Sequence, residues 1–325
     1  MVGIVFSWDK AVPGYQGGAL KHISAPDRDR TVFYTVSSLT AGTRYTFTFF
    51  SVSGDVRSSG EQLTAVTAPL NAEGLTKLRE DETSITLQWN KVNNDTSFVL
   101  QFNGRETFIS SPDGDGPVTY TVSSLTAGTR YTFTLFSVFE NVRSSGVSIT
   151  TVTAPKNTDS FRQSEQNETS ITLQWNKVNS NTSFVVQFNG RETFISAPDG
   201  DGPVTHTVSS LTVGARYLFT LFSVFENVRS RGVTIVAATV PPNARNFTPS
   251  ELDETSITLQ WNNINYYVNF VLQFNGTETF ISAPYGNGPV THTVSSLTAR
   301  TRYTFTLFSV SENVRSSGVN ITAVT

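Results

Sequence analysis

The feature that most constrains this chain is an internal repeat of 86 residues. Aromatic residues recur at this spacing in the copies. The two series are Trp89, Trp175 and Trp261, and Tyr45, Tyr131, Tyr217 and Tyr303. The phrase ETSITLQWN occurs three times and the phrase TVSSLT four times. Because this period is longer than the roughly 20–50 residues of solenoid repeats, each copy is predicted to fold as its own domain. We place the four domains at 1–67, 68–153, 154–239 and 240–325.

Each copy has the pattern of short β-strands and no helical period. In the second copy the run SITLQW alternates polar and apolar residues, which predicts a strand with Ile85, Leu87 and Trp89 facing the core. The pair Asn103-Gly104 separates two further apolar runs and is typical of a two-residue hairpin turn. With a leading strand near 70–76, the copy has about seven strands. This spacing predicts an all-β fold, a sandwich of two antiparallel sheets of the immunoglobulin-like kind.

The segment that ends at each repeated tyrosine resembles the signature of a known family. LTAGTRY, ending at Tyr131, is similar to the L-x-P-G-T-x-Y signature of fibronectin type III domains, with Ala127 where proline is usual. The resemblance implies a core tryptophan at Trp89 and a tyrosine corner at Tyr131, in which the hydroxyl group bonds to nearby backbone. It implies the same structural roles for Trp175, Trp261, Tyr45, Tyr217 and Tyr303. We therefore expect a tandem array of fibronectin type III-like sandwiches.

Longer phrases resemble a narrower group of proteins. ETSITLQWNKV, FVLQFNG and FTLFSVFENVRSSG are similar to the ectodomain repeats of receptor-type tyrosine phosphatases of the eta and H kind found in fishes. Such a receptor also needs a membrane helix and a cytoplasmic domain with a nucleophilic cysteine. This sequence has no cysteine and no run of about 18 apolar residues. On this resemblance it is an ectodomain fragment that lacks the enzyme.

The first copy departs from the repeat. The run FSW ending at Trp8 resembles the end of the tryptophan-bearing strand, and a stretch rich in glycine at 13–18 replaces the next strand and its turn. We expect residues 1–67 to form an incomplete sandwich that proteases cut before the other copies. The apolar run at the N-terminus has about five residues, against roughly 7–15 for a signal peptide. We expect the natural protein to extend further in this direction.

Charge and motifs argue against nucleic-acid binding and catalysis. The net charge is −3 and no basic run is present, whereas nucleic-acid partners select a basic surface. Alternating Asp and Gly at 113–116 favour a turn over a calcium site, because the other ligands of an EF-hand are missing. His206 and His292 occupy the slot that holds Tyr120 in the second copy, which favours an aromatic strand position over a metal ligand. We expect no catalytic residue, metal or cofactor.

Six asparagines stand in N-x-S/T sequons, the acceptor sites for N-linked glycans. They are Asn94, Asn167, Asn181, Asn246, Asn275 and Asn320. Chance sequons are common in a chain rich in Asn, Ser and Thr, but these fall mainly in predicted loops, at a hairpin tip or on the polar side of a strand. Surface placement favours an extracellular or cell-surface location. The missing cysteines and signal peptide leave an intracellular scaffold of the muscle type as the alternative.

A repeated set of apolar residues is the candidate contact face for a protein ligand. If Tyr131, Phe133 and Leu135 point inward, strict alternation turns Phe136 outward. The full set is Phe136, Phe222 and Phe308, extended on the neighbouring strand by Val99, Val185 and Val271. These residues either cover the sheet or bind a protein partner. We therefore predict a non-catalytic array for recognition and spacing, with short linkers at Pro69, Pro155, Pro241 and Pro242.

Overall fold

The computed structural model describes residues 2–10, 19–24, 33–110, 113–114, 116–196, 199–200, 202–265, 267–286 and 288–325. All of its regular structure within these ranges is β-strand, as the repeat pattern predicts. The chain divides into two compact units, residues 1–154 and 155–325. The first unit contains the first two copies of the repeat, and the second contains the last two.

The second copy is a sandwich of two antiparallel sheets. Its strands are β6 (Thr76–Glu80), β7 (Ile85–Trp89), β8 (Ser97–Phe102), β9 (Arg105–Ile109), β10 (Val118–Val122), β11 (Arg130–Phe139), β12 (Val142–Arg143) and β13 (Val147–Val152). One sheet has the order β10-β7-β6, and the other has the order β9-β8-β11-β12 with β13 also paired to β11. Since β12 and β13 are two parts of the last strand, the copy has seven strands. The leading strand begins later than predicted because Gly74 has a φ of 66°, which interrupts extended backbone.

The third and fourth copies repeat this pairing. The third consists of β14 (Arg162–Gln166), β15 (Ile171–Trp175), β16 (Ser183–Phe188), β17 (Arg191–Ile195), β18 (Val204–Val208), β19 (Arg216–Phe225), β20 (Val228–Arg229) and β21 (Val233–Ala238). The fourth consists of β22 (Thr248–Leu252), β23 (Ser256–Asn262), β24 (Asn269–Phe274), β25 (Thr277–Ile281), β26 (Pro289–Ser295), β27 (Arg302–Ser311), β28 (Val314–Arg315) and β29 (Val319–Val324). Each has one three-stranded and one five-stranded sheet.

The core of each complete sandwich forms around the tryptophan-bearing strand. Ile85, Leu87 and Trp89 have no exposed surface, which confirms the predicted inward face of this strand. The Trp89 ring meets Phe98 edge-on, with 5.5 Å between ring centroids, and Phe133 of the opposite sheet lies in the same core. Full burial of a large apolar side chain contributes about 1.5–3 kcal/mol, so these rings are a major part of what holds the sheets together.

The turns and the tyrosine corner also follow the sequence. Asn103 and Gly104 have φ values of 48° and 70°, the two positive angles that a type I′ hairpin requires. The hydroxyl oxygen of Tyr131 accepts a hydrogen bond from the backbone N–H of Thr126 at 2.8 Å. The other corner bonds have lengths of 2.7–2.8 Å and join Thr40 to Tyr45, Thr212 to Tyr217 and Thr298 to Tyr303.

The first copy has a single sheet in the part of it that is described. Its strands are β1 (Val2–Lys10), β2 (Ala19–Ser24), β3 (Arg44–Ser53), β4 (Val56–Arg57) and β5 (Glu61–Val66), in the order β2-β1-β3-β4 with β5 also paired to β3. In β1, Val5 pairs with both His22 and Phe50, which is the place that Val99 of β8 holds between β9 and β11.

This pairing corrects the interpretation of Trp8. The strand that contains Trp8 corresponds to β8, and not to the tryptophan-bearing strand β7. The repeat contains two apolar strands of similar length, and alternation along one strand does not distinguish them. Only the pairing partners do. The predicted replacement stretch at 13–18 lies outside the described residues.

Candidate recognition surface

The predicted contact residues lie on the outward face of the five-stranded sheet in the second, third and fourth copies. In the second copy Val99 stands opposite Phe108 on one side and Phe136 on the other. Side chains that oppose each other across antiparallel strands share a face, so these three form a line across the sheet, which we call the aromatic row. The other two aromatic rows are Phe194-Val185-Phe222 and Phe280-Val271-Phe308.

The valine in the middle of each row is buried, so the expectation that it extends an exposed patch is wrong. The exposed fractions of Val99, Val185 and Val271 are 7, 5 and 6%. The register confirms that these valines share the outward face with the phenylalanines. They are covered because each stands on an inner strand of its sheet between two larger aromatic side chains.

Phe136, predicted to point outward, is half-buried because its ring packs against backbone. A Cβ atom on Gly146 would come within 2.7 Å of the ring, and Gly146 has a φ of 84°. Only glycine tolerates both the contact and the angle, so this position lets the ring lie on the sheet. The pairs Gly232–Phe222 and Gly318–Phe308 have the same 2.7 Å spacing.

A bidentate ion pair crosses each aromatic row. Arg143 on β12 donates from Nη1 and Nη2 to the two carboxylate oxygens of Glu106 on β9, at 2.7 and 2.8 Å. Its Cζ atom lies 5.7 Å from the centroid of the Phe136 ring, within the range of a cation–π contact. The hydrogen bonds from Arg143 lower the pKa of Glu106. Equivalent pairs join Arg229 to Glu192 and Arg315 to Glu278.

The exposed member of each row is the phenylalanine on the edge strand. Phe108 is 64% exposed, and Phe194 and Phe280 are 64 and 61% exposed. These three residues were missed by reasoning from alternation, because the run RETFI is too short to define a face. The Asn-Gly turn is the sequence feature from which these exposed phenylalanines could have been predicted. A two-residue turn sets the register of its hairpin, and counting back from it places Phe108 opposite Val99.

All six sequon asparagines are exposed in the structure. Asn275 has a φ of 48° at the tip of the β24–β25 hairpin, and Asn320 on β29 pairs with Thr306 on β27. The side-chain oxygen of Asn167 accepts hydrogen bonds from the N–H groups of Thr169 and Ser170 at 2.8 and 2.7 Å. A glycan attaches through the side-chain nitrogen, so this turn is compatible with modification. Glycosylation of the six sites stays a prediction.

The alternative sites find little support in the surrounding contacts. The ammonium of Lys91 donates to the carbonyl of Gly114, which favours the turn interpretation of that loop, and Asp115 lies outside the described residues. Burial lowers the pKa of His206 and of His292, which favours the neutral form of each ring. This agrees with their interpretation as aromatic strand positions. The described ranges contain no group of three His, Cys, Asp or Glu placed to hold a metal ion. In those same ranges, no helix is long and apolar enough to cross a membrane.

Two packed sheets with a core tryptophan and a tyrosine corner are the architecture of fibronectin type III domains. In this chain such sandwiches follow one another in tandem.

The relatives agree with this fold. Chicken (Gallus gallus) tenascin is 27% identical over 90% of this chain and 17% of its own length. Human (Homo sapiens) receptor-type tyrosine-protein phosphatase H is 26% identical over 90% of this chain and 27% of its own. Receptor-type tyrosine-protein phosphatase eta of Gallus gallus is 26% identical over 75% of this chain and 18% of its own.

The resemblance to receptor-type tyrosine phosphatases H and eta, inferred from the repeat phrases, is therefore confirmed. The chain spans about a quarter or less of the length of these relatives. Among solved structures, a two-domain fibronectin type III segment of chicken tenascin aligns over 52% of this chain and 99% of its own, with 20% identity and a TM-score of 0.34. No family model matches the chain.

Proposed function

We propose that this chain is a non-catalytic, extracellular recognition and spacer array whose aromatic rows bind a protein ligand. The observation that carries the proposal is the threefold repetition of one exposed phenylalanine beside one bidentate arginine pair. The similarity to tenascin and to receptor-type phosphatases supports a place outside the cell. Six exposed sequons support the same location.

The chemistry of the row suits a protein partner. Aromatic and arginine side chains dominate the energetic centres of protein interfaces, and each row offers both within one small area. The ion pair holds Arg143 in place before binding, which reduces the side-chain entropy that a partner's arrival would otherwise cost. Three rows on one chain also allow weak contacts to add up through multivalency.

Binding to animal-cell surfaces tests the role of the rows. The array is labelled with a fluorophore, and cell-associated signal is measured by flow cytometry. We expect the triple variant Phe108→Ser, Phe194→Ser, Phe280→Ser to lose most of the signal. The matched control is Leu78→Ser, which removes a 55% exposed side chain from the other sheet and introduces the residue found at Ser164 and Ser250. Equal binding by the triple variant would refute the assignment of the face.

The predicted location has its own test. When the array is secreted from animal cells behind an added leader, peptide N-glycosidase should reduce its mass, and asparagine-to-aspartate conversion should mark the occupied sequons. An unchanged mass would favour the intracellular scaffold instead.

A second candidate is the ectodomain of a receptor-type tyrosine phosphatase, favoured by similarity to phosphatases H and eta. The complete transcript decides this question. Under this candidate it encodes a membrane helix and a phosphatase domain after the repeats, whereas a tenascin-like product would encode neither.

A further inference from the structure

The exposed phenylalanine of each aromatic row lies on a strand at the edge of its sheet. In the order β9-β8-β11-β12, β9 has a single neighbour among the described strands, and β17 and β25 hold the same place in the third and fourth copies. Backbone groups of an edge strand that point away from its neighbour can pair with a strand of another chain. These three edges are therefore candidate sites for the addition of a β-strand.

The Asn-Gly turn determines which backbone groups of β9 point to the open edge. In a two-residue hairpin the residues on either side of the turn exchange both ladder bonds, and here they are Phe102 and Arg105. Because bonded and non-bonded pairs alternate along an antiparallel ladder, Thr107 bonds to β8, whereas Glu106 and Phe108 do not. The N–H and C=O groups of Glu106 and Phe108 consequently point to the open edge.

The first copy has a lysine on the corresponding edge. There β2 pairs with β1 so that His22 holds the position of Phe108, which places Lys21 at the position of Thr107. Lysine on an edge strand is a common protection against edge-to-edge pairing. Strands β9, β17 and β25 contain no lysine, and Arg105 of β9 stands beside the turn. The edges of the last three copies therefore lack the protection that the first copy has.

One register of antiparallel pairing between two copies of β9 suits both the backbone and the side chains. Residues whose groups point to the edge must oppose one another, and these are Glu106, Phe108 and the exposed Ser110 that follows in the same phase. A register with Glu106 opposite Glu106 brings like charges together, and one with Glu106 opposite Phe108 places a charge over the ring. With Phe108 opposite Phe108, Glu106 stands opposite the neutral Ser110. This register also joins the two aromatic rows into one line.

We propose that the open edges of β9, β17 and β25 bind a second copy of this chain by antiparallel strand pairing, with a two-fold axis at the exposed phenylalanine. The inference rests on the recognition function proposed above and names its partner. An identical partner is favoured because the pairing is self-complementary, which a two-fold interface requires. The same residue types recur at the other two edges, as Glu192, Phe194 and Ser196 and as Glu278, Phe280 and Ser282. Since each edge is short, the association is expected to be weak and reversible.

Sedimentation velocity of the full chain at increasing concentration tests the self-association. We expect the weight-average sedimentation coefficient of the wild type to rise with concentration. The triple variant Phe108→Ser, Phe194→Ser, Phe280→Ser should remain monomeric. The control Leu78→Ser, on the other sheet, should associate like the wild type.

A second triple variant separates backbone pairing from the loss of the aromatic rings. Thr107→Lys, Thr193→Lys, Thr279→Lys introduces the residue of the first copy at each edge and keeps every phenylalanine. It should also remain monomeric, because pairing would bury the added ammonium groups. Near-UV circular dichroism, which should match that of the wild type, checks that both triple variants are folded.

Cysteine cross-linking tests the register, because the chain has no cysteine of its own. Residues 106 and 110 of the two chains would have Cα atoms about 5.5 Å apart, within the range of about 4.4–6.8 Å that a disulfide spans. A mixture of Glu106→Cys and Ser110→Cys, oxidised with oxidised glutathione, should therefore form a covalent product of two chains. Either variant alone should not, because its two cysteines would lie far apart along the paired strands.

Several outcomes would overturn the inference. They are a wild-type sedimentation coefficient that does not change with concentration, association that persists in the triple lysine variant, and cross-linking of Glu106→Cys with itself. If the chain stays monomeric while the triple phenylalanine variant loses its cell-surface signal, this inference fails and the proposed function stands. If the chain stays monomeric and the cell-surface signal is also unchanged, both fail.

Discussion

The first and second copies contain nearly the same central strand but bury it differently. RYTFTFFSVS of β3 and RYTFTLFSVF of β11 differ at two positions. In the second copy Phe133 has no exposed surface and Ile149 packs on the core, whereas the equivalent Leu63 of the first copy is 54% exposed. Phe47 and Leu63 instead line a cavity of about 440 Å³ together with Phe33, which is 91% exposed. Phe47 itself is 9% exposed, so the two copies differ in what covers the strand and in how completely it is covered.

The tyrosine corner, in contrast to the central strand, is the same in the first and second copies. The bond from the Thr40 N–H to Tyr45 and the bond from the Thr126 N–H to Tyr131 are both 2.8 Å long. The two partners of each bond are five residues apart in the sequence, so the corner depends on local backbone geometry. Contrasting substitutions in the two copies can therefore separate local stabilisation from stabilisation between sheets.

The largest expected difference comes from the central phenylalanine. Phe133→Ala should destabilise the second copy by about 3–5 kcal/mol, because it leaves a cavity in a closed core. Phe47→Ala should destabilise the first copy less, since its ring is 9% exposed and already borders a cavity, whereas Phe133 is fully buried. Hydrogen–deuterium exchange, read on peptides from each copy, measures both effects in the full chain. Phe219→Ala in the third copy is the matched control and should behave like Phe133→Ala. Equal effects in the first and second copies would break the comparison.

Removal of the corner hydroxyl should have a smaller effect, and an equal one in the two copies. Tyr131→Phe and Tyr45→Phe each delete one hydrogen bond, which typically contributes about 1 kcal/mol. Exchange protection of the Thr126 and Thr40 amides should fall to a similar extent. A much larger loss at Tyr131 would mean that the corner depends on the second sheet after all.

The smallest effect concerns pH and the ion pair across the aromatic row. The hydrogen bonds from Arg143 lower the pKa of Glu106 below its ordinary value of 4.5. The ion pair therefore stabilises the folded state above pH 4.5. This stabilisation is lost at lower pH, where the carboxylate becomes protonated. The stability difference between the wild type and Glu106→Gln should shrink between pH 7 and pH 3. In the first copy the register puts Leu20 at the position of Glu106, so Arg57→Gln should produce no such dependence. Urea unfolding at the two pH values, followed by hydrogen exchange of each copy, tests this contrast.

Much of the architecture could be predicted from particular residues. Trp89 and its neighbours alternate clearly, and Asn103-Gly104 leaves little choice of turn, so strand positions and the hairpin follow from local rules. The identity of the strand that contains Trp8 could not be predicted in this way, because two strands of the repeat have similar patterns. The burial of Val99 was missed for a related reason, since it depends on Phe108 and Phe136 from other strands.

The sequence by itself determined the repeat, the all-β sandwich, the turns and the surface position of the sequons, because each follows from the order of residue types along the chain. The tertiary structure decided which apolar residues are exposed. Pairing exposes Phe108 at a sheet edge and covers Val99 on an inner strand, although both point the same way. Leu218 of the third copy and Tyr267 of the fourth copy likewise line one cleft only through packing, because they lie far apart in the sequence.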